Sequence, residues 1–148
     1  MPYILFYFSF MCYNQAKQRI INILKVKLMN KQDILKYAED HFGSAPEYLW
    51  AKYPTYCVLR HPNNHKWYAV LMDVAKNKLG LSGDENVDIL VIKCGPILLG
   101  SLLLNKGFLP AYHMNKSNWV TVLLDGSVAG KEIAELLEIS YDMTSEKL

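Results

Sequence analysis

The sequence predicts an α+β fold in which an antiparallel sheet packs its helices on one face. Three apolar stretches, at 56–60, 67–74 and 87–94, follow one another through short connections, which favours antiparallel pairing. A fourth strand is predicted at 119–124, and apolar residues at helical spacing occur before and after this series. The predicted order is therefore helix, three-strand meander, helix, strand, helix.

The first 28 residues differ in kind from residues 29–148. They combine crowded Tyr, Phe and Ile with four cations and no acidic residue, and their apolar run at 3–13 is shorter than the about 20 residues of a spanning helix. We interpret 1–28 as a dispensable extension, or an upstream start, before one domain at 29–148. The alternative is a membrane-surface helix, because Ile20, Leu24 and Leu28 share one helical face with cations around it.

The first helix of the domain is predicted over 31–42. Apolar residues recur there at spacings of three and four, Asn30 and Asp33 can cap its start, and Gly43 can end it. Loops are predicted at 44–54, at 76–86, which has two glycines, and at 61–66, a hairpin connection rich in turn formers.

Two further helices are predicted. The second opens at Pro96 and continues to Leu104, and because it is apolar nearly all round it is expected to pack on several sides. The last starts near Ser127, with Ile133 and Leu136 on its buried face and glutamates on its solvated side.

The net charge of the domain is slightly negative. The whole chain has 16 Lys and Arg against 14 Asp and Glu, but four of the cations lie in 1–28. Residues 29–148 therefore carry 12 basic and 14 acidic residues, a formal net charge of −2, and Arg60 is their only arginine. Such a domain is a poor general electrostatic match for duplex DNA.

The cysteines indicate free thiols. Cys12, Cys57 and Cys94 form no CxxC pair, which is typical of a reducing, cytoplasmic compartment. Cys57 can approach His65, and Cys94 can approach His113, but neither pair has a catalytic motif. Core positions are the preferred interpretation of Cys57 and Cys94, and the sequence predicts no enzyme.

Metal and cofactor sites are not predicted either. His61 and His65 flank a turn instead of lining a helix, and a zinc site needs three or four ligands. The glycines at 80 and 83 lack the lysine and the spacing of a phosphate-binding loop. We therefore expect no cofactor, no metal and no membrane partner.

The densest chemistry lies between Gly107 and Gly126. Its loop combines hydrogen-bonding and aromatic side chains, and a β-branched strand follows at Trp119. Polar and aromatic loops held by a strong strand are where binding function tends to lie. The sequence PAYHMNK at 110–116 is the most specific part of this segment.

On these residues the chain resembles the MmcQ/YjbR family of small bacterial proteins. The resemblance covers 29–148 and rests on the PAYHMNK segment, on Trp119 opening a strand, on Ile92-Lys93-Cys94 before Pro96, and on Ser140-Tyr141 after the last helix. It implies a CyaY-like α+β fold. The family is often labelled DNA-binding, on the basis of a proposed double-wing arrangement.

The resemblance therefore implies DNA binding, in which lysines would neutralise phosphates and asparagines would read bases. The candidate residues are Lys93, Lys106, Tyr112, His113, Asn115, Lys116, Asn118 and Trp119. The alternative is a protein-interaction or small-ligand module that uses the same 106–119 surface. A further set of aromatic residues would suit a partner surface or form a small core under its own loop: Tyr48, Trp50, Tyr53 and Tyr56.

Overall fold

A computed structural model of the chain describes residues 2–145, and it describes their side chains except at 2, 6 and 21–27. The elements in chain order are α1 (Pro2–Lys27), α2 (Lys31–Phe42), β1 (Cys57–Arg60), β2 (Trp67–Ala75), a 3₁₀ turn (Lys76–Leu79), β3 (Asn86–Lys93), α3 (Pro96–Leu102), β4 (Phe108–Pro110), β5 (Trp119–Leu123) and α4 (Gly130–Thr144).

The sheet has five antiparallel strands in the order β1-β2-β3-β5-β4. Helices α2, α3 and α4 contribute buried side chains to the core on one of its faces. The predicted α+β class and order of elements are therefore confirmed, and each predicted strand end lies within one residue of the observed one. The sequence pattern does not predict β4, which has only three residues and ends in Pro110.

The sheet separates two cores. On the helix face, side chains from α2, α3 and α4 pack against alternate strand residues such as Leu71 and Leu90. The opposite face, which we call the loop face, has its own core around Val70 and Ile89. No helix of the described chain covers the loop face, and its cover comes instead from the segments 44–56, 76–81 and 111–118.

A β-bulge in β2 places Tyr68 in the helix-face core. Leu59 of β1 pairs with Ala69, whereas Arg60 pairs with Trp67, so the register skips Tyr68. Tyr68 and Ala69 are consequently both buried in the helix-face core, although they are neighbours in sequence.

Helix α4 is fastened to the sheet at this bulge by Ser140. The Ser140 hydroxyl donates to the Tyr68 carbonyl at 2.5 Å and accepts the backbone N–H of Lys93 at 2.9 Å. Next to it, the Tyr141 carbonyl accepts a hydrogen bond from Nε2 of His61 at 2.7 Å, and the two rings stack with centroids 3.8 Å apart. Because Ser140 is fully buried, its two backbone partners have no water to replace it.

Helix α2 begins and ends where the sequence predicts. The Asn30 side chain accepts the Asp33 N–H, and the Asp33 carboxylate accepts the Asn30 N–H, both at 2.9 Å. Gly43 ends the helix with a φ of 64°, a left-handed conformation that suits glycine.

Helix α4 departs from its predicted bounds at both ends. It begins at Gly130 and not near Ser127, whose backbone N–H donates to the Asp125 carboxylate at 2.9 Å instead of entering a helix. It also continues to Thr144, so Ser140 and Tyr141 lie within the helix and not after it.

Helix α3 is more exposed than expected. Leu99 and Leu102 are buried, but Ile97 is 91% exposed and Leu104, beyond the helix end, is 88% exposed. The expectation that this segment packs on several sides is wrong, since it packs on one side only.

Helix α1 spans most of the N-terminal extension and approaches α4. Every described side chain between residues 3 and 20 is exposed. Along the described residues no helix is both long and apolar enough to cross a bilayer. The proposed membrane-surface face includes Leu24, whose side chain lies outside the described residues, so this alternative and the interpretation of 1–28 as dispensable stay predictions.

The two outer strands of the sheet have little free edge. Glu47 forms an antiparallel bridge with Val58 on the outer side of β1, through two backbone hydrogen bonds of 3.0 Å. At the other edge, β4 has three residues, and Pro110 has no N–H to offer.

We expect Ser140→Ala to lower the free energy of unfolding by about 2–3 kcal/mol, because a strand N–H and a strand C=O lose their partner inside the core. Urea denaturation measures this change. Ser101→Ala, at an exposed position of α3, is the control and should stay within about 0.5 kcal/mol of the parent. Equal unfolding midpoints for the two variants would contradict the role of the hydroxyl bridge.

Removal of residues 1–28 is expected to shift the thermal midpoint by only a few degrees, because the described side chains at 3–20 are exposed. Circular dichroism melting of the shortened and full chains provides the comparison. A loss above about 10 °C, equivalent to a few kcal/mol, would instead make the N-terminal aromatics part of the folded core.

Candidate ligand-binding groove on the loop face

The segment 111–118 crosses the loop face, and its first two residues are anchored to the sheet. Ala111 is fully buried, and the backbone N–H of Tyr112 donates to the hydroxyl of Thr121 in β5 at 2.9 Å. The ammonium group of Lys116 donates back to the Ala111 carbonyl at 3.0 Å. One of the predicted phosphate-binding cations therefore supports the loop, although its side chain remains exposed.

The end of the segment is a turn built on Asn115. Its backbone carbonyl accepts the N–H groups of Asn118 and Trp119 at 3.2 and 2.9 Å, and its side-chain oxygen accepts the N–H of Ser117 at 2.8 Å. The Asn118 carbonyl in turn accepts the N–H of Cys94 at 2.7 Å. These local bonds give the turn a fixed shape.

The predicted binding residues do not form one patch. Lys106 directly precedes Gly107, whose carbonyl accepts the N–H of Leu123 at the end of β5. Asn118 directly precedes Trp119 at the beginning of the same strand. Lys106 therefore lies at the opposite end of β5 from the turn that contains Lys116.

Lys106 lies near the carboxylate of Asp125. Burial would raise the pKa of the Asp125 carboxyl, but hydrogen bonds from Ser127 and the charge of Lys106 outweigh burial and hold that pKa below its usual value. The positive charge of Lys106 is therefore partly offset by the nearby Asp125 carboxylate.

Lys93 and Trp119 lie side by side on the loop face, and Trp119 shares its core with Ala111, Tyr112 and Met114 of the segment. They are register partners in β3 and β5, and alternation along β3 puts Lys93 on the loop face with Val91. Trp119 is 9% exposed and belongs to the loop-face core, whereas Lys93 is half-buried. Trp119 therefore supports segment 111–118 from below.

Tyr112 and His113 reach a groove formed with two other parts of the chain. His113 has a left-handed φ of 58°, and its ring lies 4.0 Å from that of Tyr112. The groove, which we call the aromatic groove, has a volume of about 190 Å³ and is lined by Trp50, Tyr53, Tyr56, Met72, Lys78, Tyr112 and His113. It shares Tyr53, Tyr56 and Lys78 with an adjoining cleft of about 340 Å³.

The walls of the aromatic groove are rings that hold one another in place. Trp50 meets Tyr56 and Trp67 edge-on, with centroids 6.3 and 6.0 Å away, and Tyr53 stacks on Tyr56 at 4.8 Å. Trp50 and Tyr56 join the loop-face core, so the expected small core under this loop is present. Tyr53 and Tyr48 remain 42% and 55% exposed.

Two lysines stand at the groove and the cleft. Lys78 lines both spaces, and Lys52 lines the cleft with its ammonium 5.8 Å from the Tyr53 ring centre. Neither has an ion-pair partner in the part of the chain that is described, whereas nearby Lys76 pairs with Glu85 at 2.7 Å. The two cations are therefore available to a ligand.

The polar side chains of the cleft are already partly satisfied. Asp73 accepts hydrogen bonds from the Thr55 hydroxyl and the Asn86 amide. Burial raises the pKa of Tyr56, and the neighbouring Tyr112 and Asp73 raise it further. The Tyr56 hydroxyl therefore stays neutral and able to donate a hydrogen bond at physiological pH.

The acidic residues of the domain are concentrated in two helices. Helices α2 and α4 carry three basic against seven acidic residues, a net charge of −4. The other segments between 29 and 145 carry eight basic against six acidic residues, a net charge of +2. The acidic balance of the domain thus belongs to its helices, and the aromatic groove lies on the opposite side of the sheet.

The two buried thiols are poor nucleophiles. Burial raises the pKa of both Cys57 and Cys94, which disfavours the reactive thiolate. Both belong to the helix-face core, so Cys94 does not meet His113 on the loop face. Among the described residues no three His, Cys, Asp or Glu side chains come together as a metal-binding group.

The sequence model of the YjbR family matches residues 40–143 of this chain. The chain belongs to the YjbR family. A relative from Bacillus subtilis (strain 168), the uncharacterized protein YyaQ, is 39% identical over 117 residues, which cover 79% of this chain and 99% of the relative. The resemblance read from the sequence is therefore confirmed.

Solved structures are similar to this YjbR fold. A crystal structure of a Pseudomonas syringae protein matches with a TM-score of 0.77 and 46% identity, over 79% of this chain and 100% of that one. A solution NMR structure from the same organism matches with a TM-score of 0.73 and 45% identity, over 80% of this chain and 95% of that one. A crystal structure of a Deinococcus radiodurans protein matches with a TM-score of 0.61 and 22% identity, over 82% of this chain and 81% of that one. At this identity the similarity shows the fold alone.

Only part of the groove in this YjbR domain is predictable from the sequence. Tyr112, His113 and the aromatics of 44–56 are marked by their composition, but nothing in the sequence indicates that they lie together. Met72 and Lys78 carry no such mark, because they resemble a core residue of a strand and a solvated loop cation. Alternation along β2, which puts Met72 on the loop face, is the signal that could have found one of them.

We expect Thr121→Val to lower the free energy of unfolding by about 1–3 kcal/mol, because the Tyr112 N–H loses its buried acceptor. Thr121→Ser keeps the hydroxyl and loses about 0.8 kcal/mol or less with the methyl group. Urea denaturation measures the stabilities, and hydrogen exchange at the Tyr112 amide reports on the bond itself. Equal exchange in the two variants would contradict the anchoring role.

Proposed function

We propose that the protein binds nucleic acid through the loop face and catalyses no reaction. The observation that carries the proposal is the aromatic groove, which lies on the face opposite the acidic helices. It is flanked by Lys52 and Lys78, which have no ion-pair partner among the described residues. Lysines attract phosphates, and aromatic rings offer stacking surfaces that accept any base.

The domain's net charge of −2 does not oppose this proposal once its distribution is considered. The Debye length is about 10 Å at 0.1 M salt, and the layers packed on either face of a sheet lie about 10 Å from it. A polyanion on the loop face is therefore largely screened from the helix-face carboxylates. It interacts mainly with the three segments that cover the loop face, in which four lysines stand against one glutamate.

The proposal gives the residues of 106–119 different roles. Tyr112 and His113 line the groove and would contact the ligand. Asn115 and the half-buried Asn118 shape the turn, and the buried Trp119 positions the segment. The three lysines of the original candidate set, Lys93, Lys106 and Lys116, would add attraction at longer range.

The absence of catalysis is part of the proposal. The two buried thiols lie across the sheet from the groove, and burial disfavours their thiolates. The groove itself offers His113 and neutral Tyr56, which suit hydrogen bonding to a bound base.

A protein-interaction module is the second candidate. One observation favours it, at α3 and its end instead of the 106–119 surface first expected: Ile97 and Leu104 are 91% and 88% exposed. Large exposed aliphatic groups are typical of interaction sites when they form a patch. Binding at such a patch would change little with salt, unlike binding to phosphates.

We expect the full chain to bind labelled DNA in fluorescence anisotropy, with a log Kobs against log salt slope of about −0.7 to −0.9 per phosphate contacted. Lys52→Gln/Lys78→Gln should weaken binding several-fold and make the slope shallower by about 1–2. The matched control is Lys36→Gln/Lys131→Gln on the acidic helices, whose lysines pair with Asp40 and Glu135 and should not contribute.

The cations of the N-terminal extension need their own control. A variant with Lys17, Arg19, Lys25 and Lys27 changed to Gln should keep the loop-face binding. No binding at about 10⁻⁴ M protein in low salt, or complete loss in this variant, would overturn the proposed function, since ordinary non-specific binders act at or below that concentration.

A further inference from the structure

The volume of the aromatic groove is that of a small site, with room for one ring system. Its volume of about 190 Å³ is below the about 300–1,000 Å³ of sites for drug-sized ligands. The neighbouring cleft has a volume of about 340 Å³ and shares Tyr53, Tyr56 and Lys78 with the groove. The two spaces together suit a small planar group with a larger polar group attached.

The two spaces also differ in chemistry. Trp50, Tyr53, Tyr56 and Tyr112 surround the groove. The cleft instead adds polar and charged side chains: Lys52, Thr55, Asp73 and Asn86. An aromatic slot beside a cationic, hydrogen-bonding cleft matches a nucleobase joined to a sugar and a phosphate.

We propose that the aromatic groove holds one unstacked nucleobase of single-stranded nucleic acid, with the attached phosphate between Lys52 and Lys78. This inference rests on the proposed function and names the form of nucleic acid that the site takes. It adds a preference that phosphate attraction alone does not give, because duplex DNA presents the same phosphates with its bases stacked away from the protein.

The rings that would meet the base are already in position. Trp50 is pinned by Trp67, and Tyr56 by Tyr53 and Trp50, so binding has few side chains left to order. Tyr53 uses one face to stack on Tyr56, and its 42% exposure leaves ring surface for a ligand. Tyr112 is fixed through its backbone bond to Thr121.

A duplex would have to extrude a base to fill the groove. Extrusion costs a few kcal/mol in unstacking and unpairing, and a single strand avoids most of that cost. The groove therefore favours single strands over duplexes by about tenfold or more.

The test compares three probes with the full chain: a labelled oligodeoxythymidine, its duplex with oligodeoxyadenosine, and adenosine monophosphate. Tyr53→Leu, which keeps an apolar side chain without a ring, should weaken single-strand binding about tenfold and leave duplex binding almost unchanged. Tyr48→Leu is the matched control, since Tyr48 lies in the same loop but outside the groove lining. Urea midpoints verify that both variants stay folded.

Each outcome decides between the two proposals. Tighter single-strand binding that depends on Tyr53 supports both. Equal binding of single strand and duplex, unaffected by Tyr53→Leu, overturns this inference and leaves nucleic-acid binding in place. Binding of adenosine monophosphate without the oligonucleotide overturns the single-strand assignment and makes a free nucleotide the ligand. Binding of none of the three probes overturns both proposals.

Discussion

The Ser140 hydroxyl joins helix α4 to two central strands at once, through the Tyr68 carbonyl and the Lys93 N–H. It does so where β2 carries its bulge, and the bulge is what puts Tyr68 and Ala69 on the same face. Trp67 is thereby left on the loop face, where Trp50 packs against it. The aromatic groove on one side of the sheet thus depends on a register that a buried hydrogen bond maintains on the other side.

The groove itself is assembled from three segments that are distant in the chain. The 44–56 loop supplies the stacked rings, the 3₁₀ turn after β2 supplies Lys78, and segment 111–118 supplies Tyr112 and His113. Each segment is anchored separately, by ring packing, by the Lys76–Glu85 pair and by the Thr121 hydroxyl. Loops that rest on a rigid sheet in this way can present a defined surface without a helix to support them.

Local signals in the sequence predict much of the fold. The capping pair at Asn30 and Asp33 gives the start of α2, and strands of β-branched residues give their bounds to within one residue. The start of α4 is missed because Ser127 has a competing partner in Asp125, which a capping rule does not take into account. The groove is missed for a different reason: Met72, Lys78 and Tyr112 meet only through tertiary packing, and nothing in their separate surroundings marks them as neighbours.

The bridge between Glu47 and Val58 gives the 44–56 loop a second consequence. It occupies the outer backbone of β1, and at the far edge Pro110 shortens β4, so strands of other molecules find few unpaired groups to add to. The same loop carries Trp50, Tyr53 and Tyr56 into the groove. Substitutions that loosen this loop to admit larger ligands would therefore also expose the outer edge of β1. The protein would then bind larger ligands but aggregate more readily.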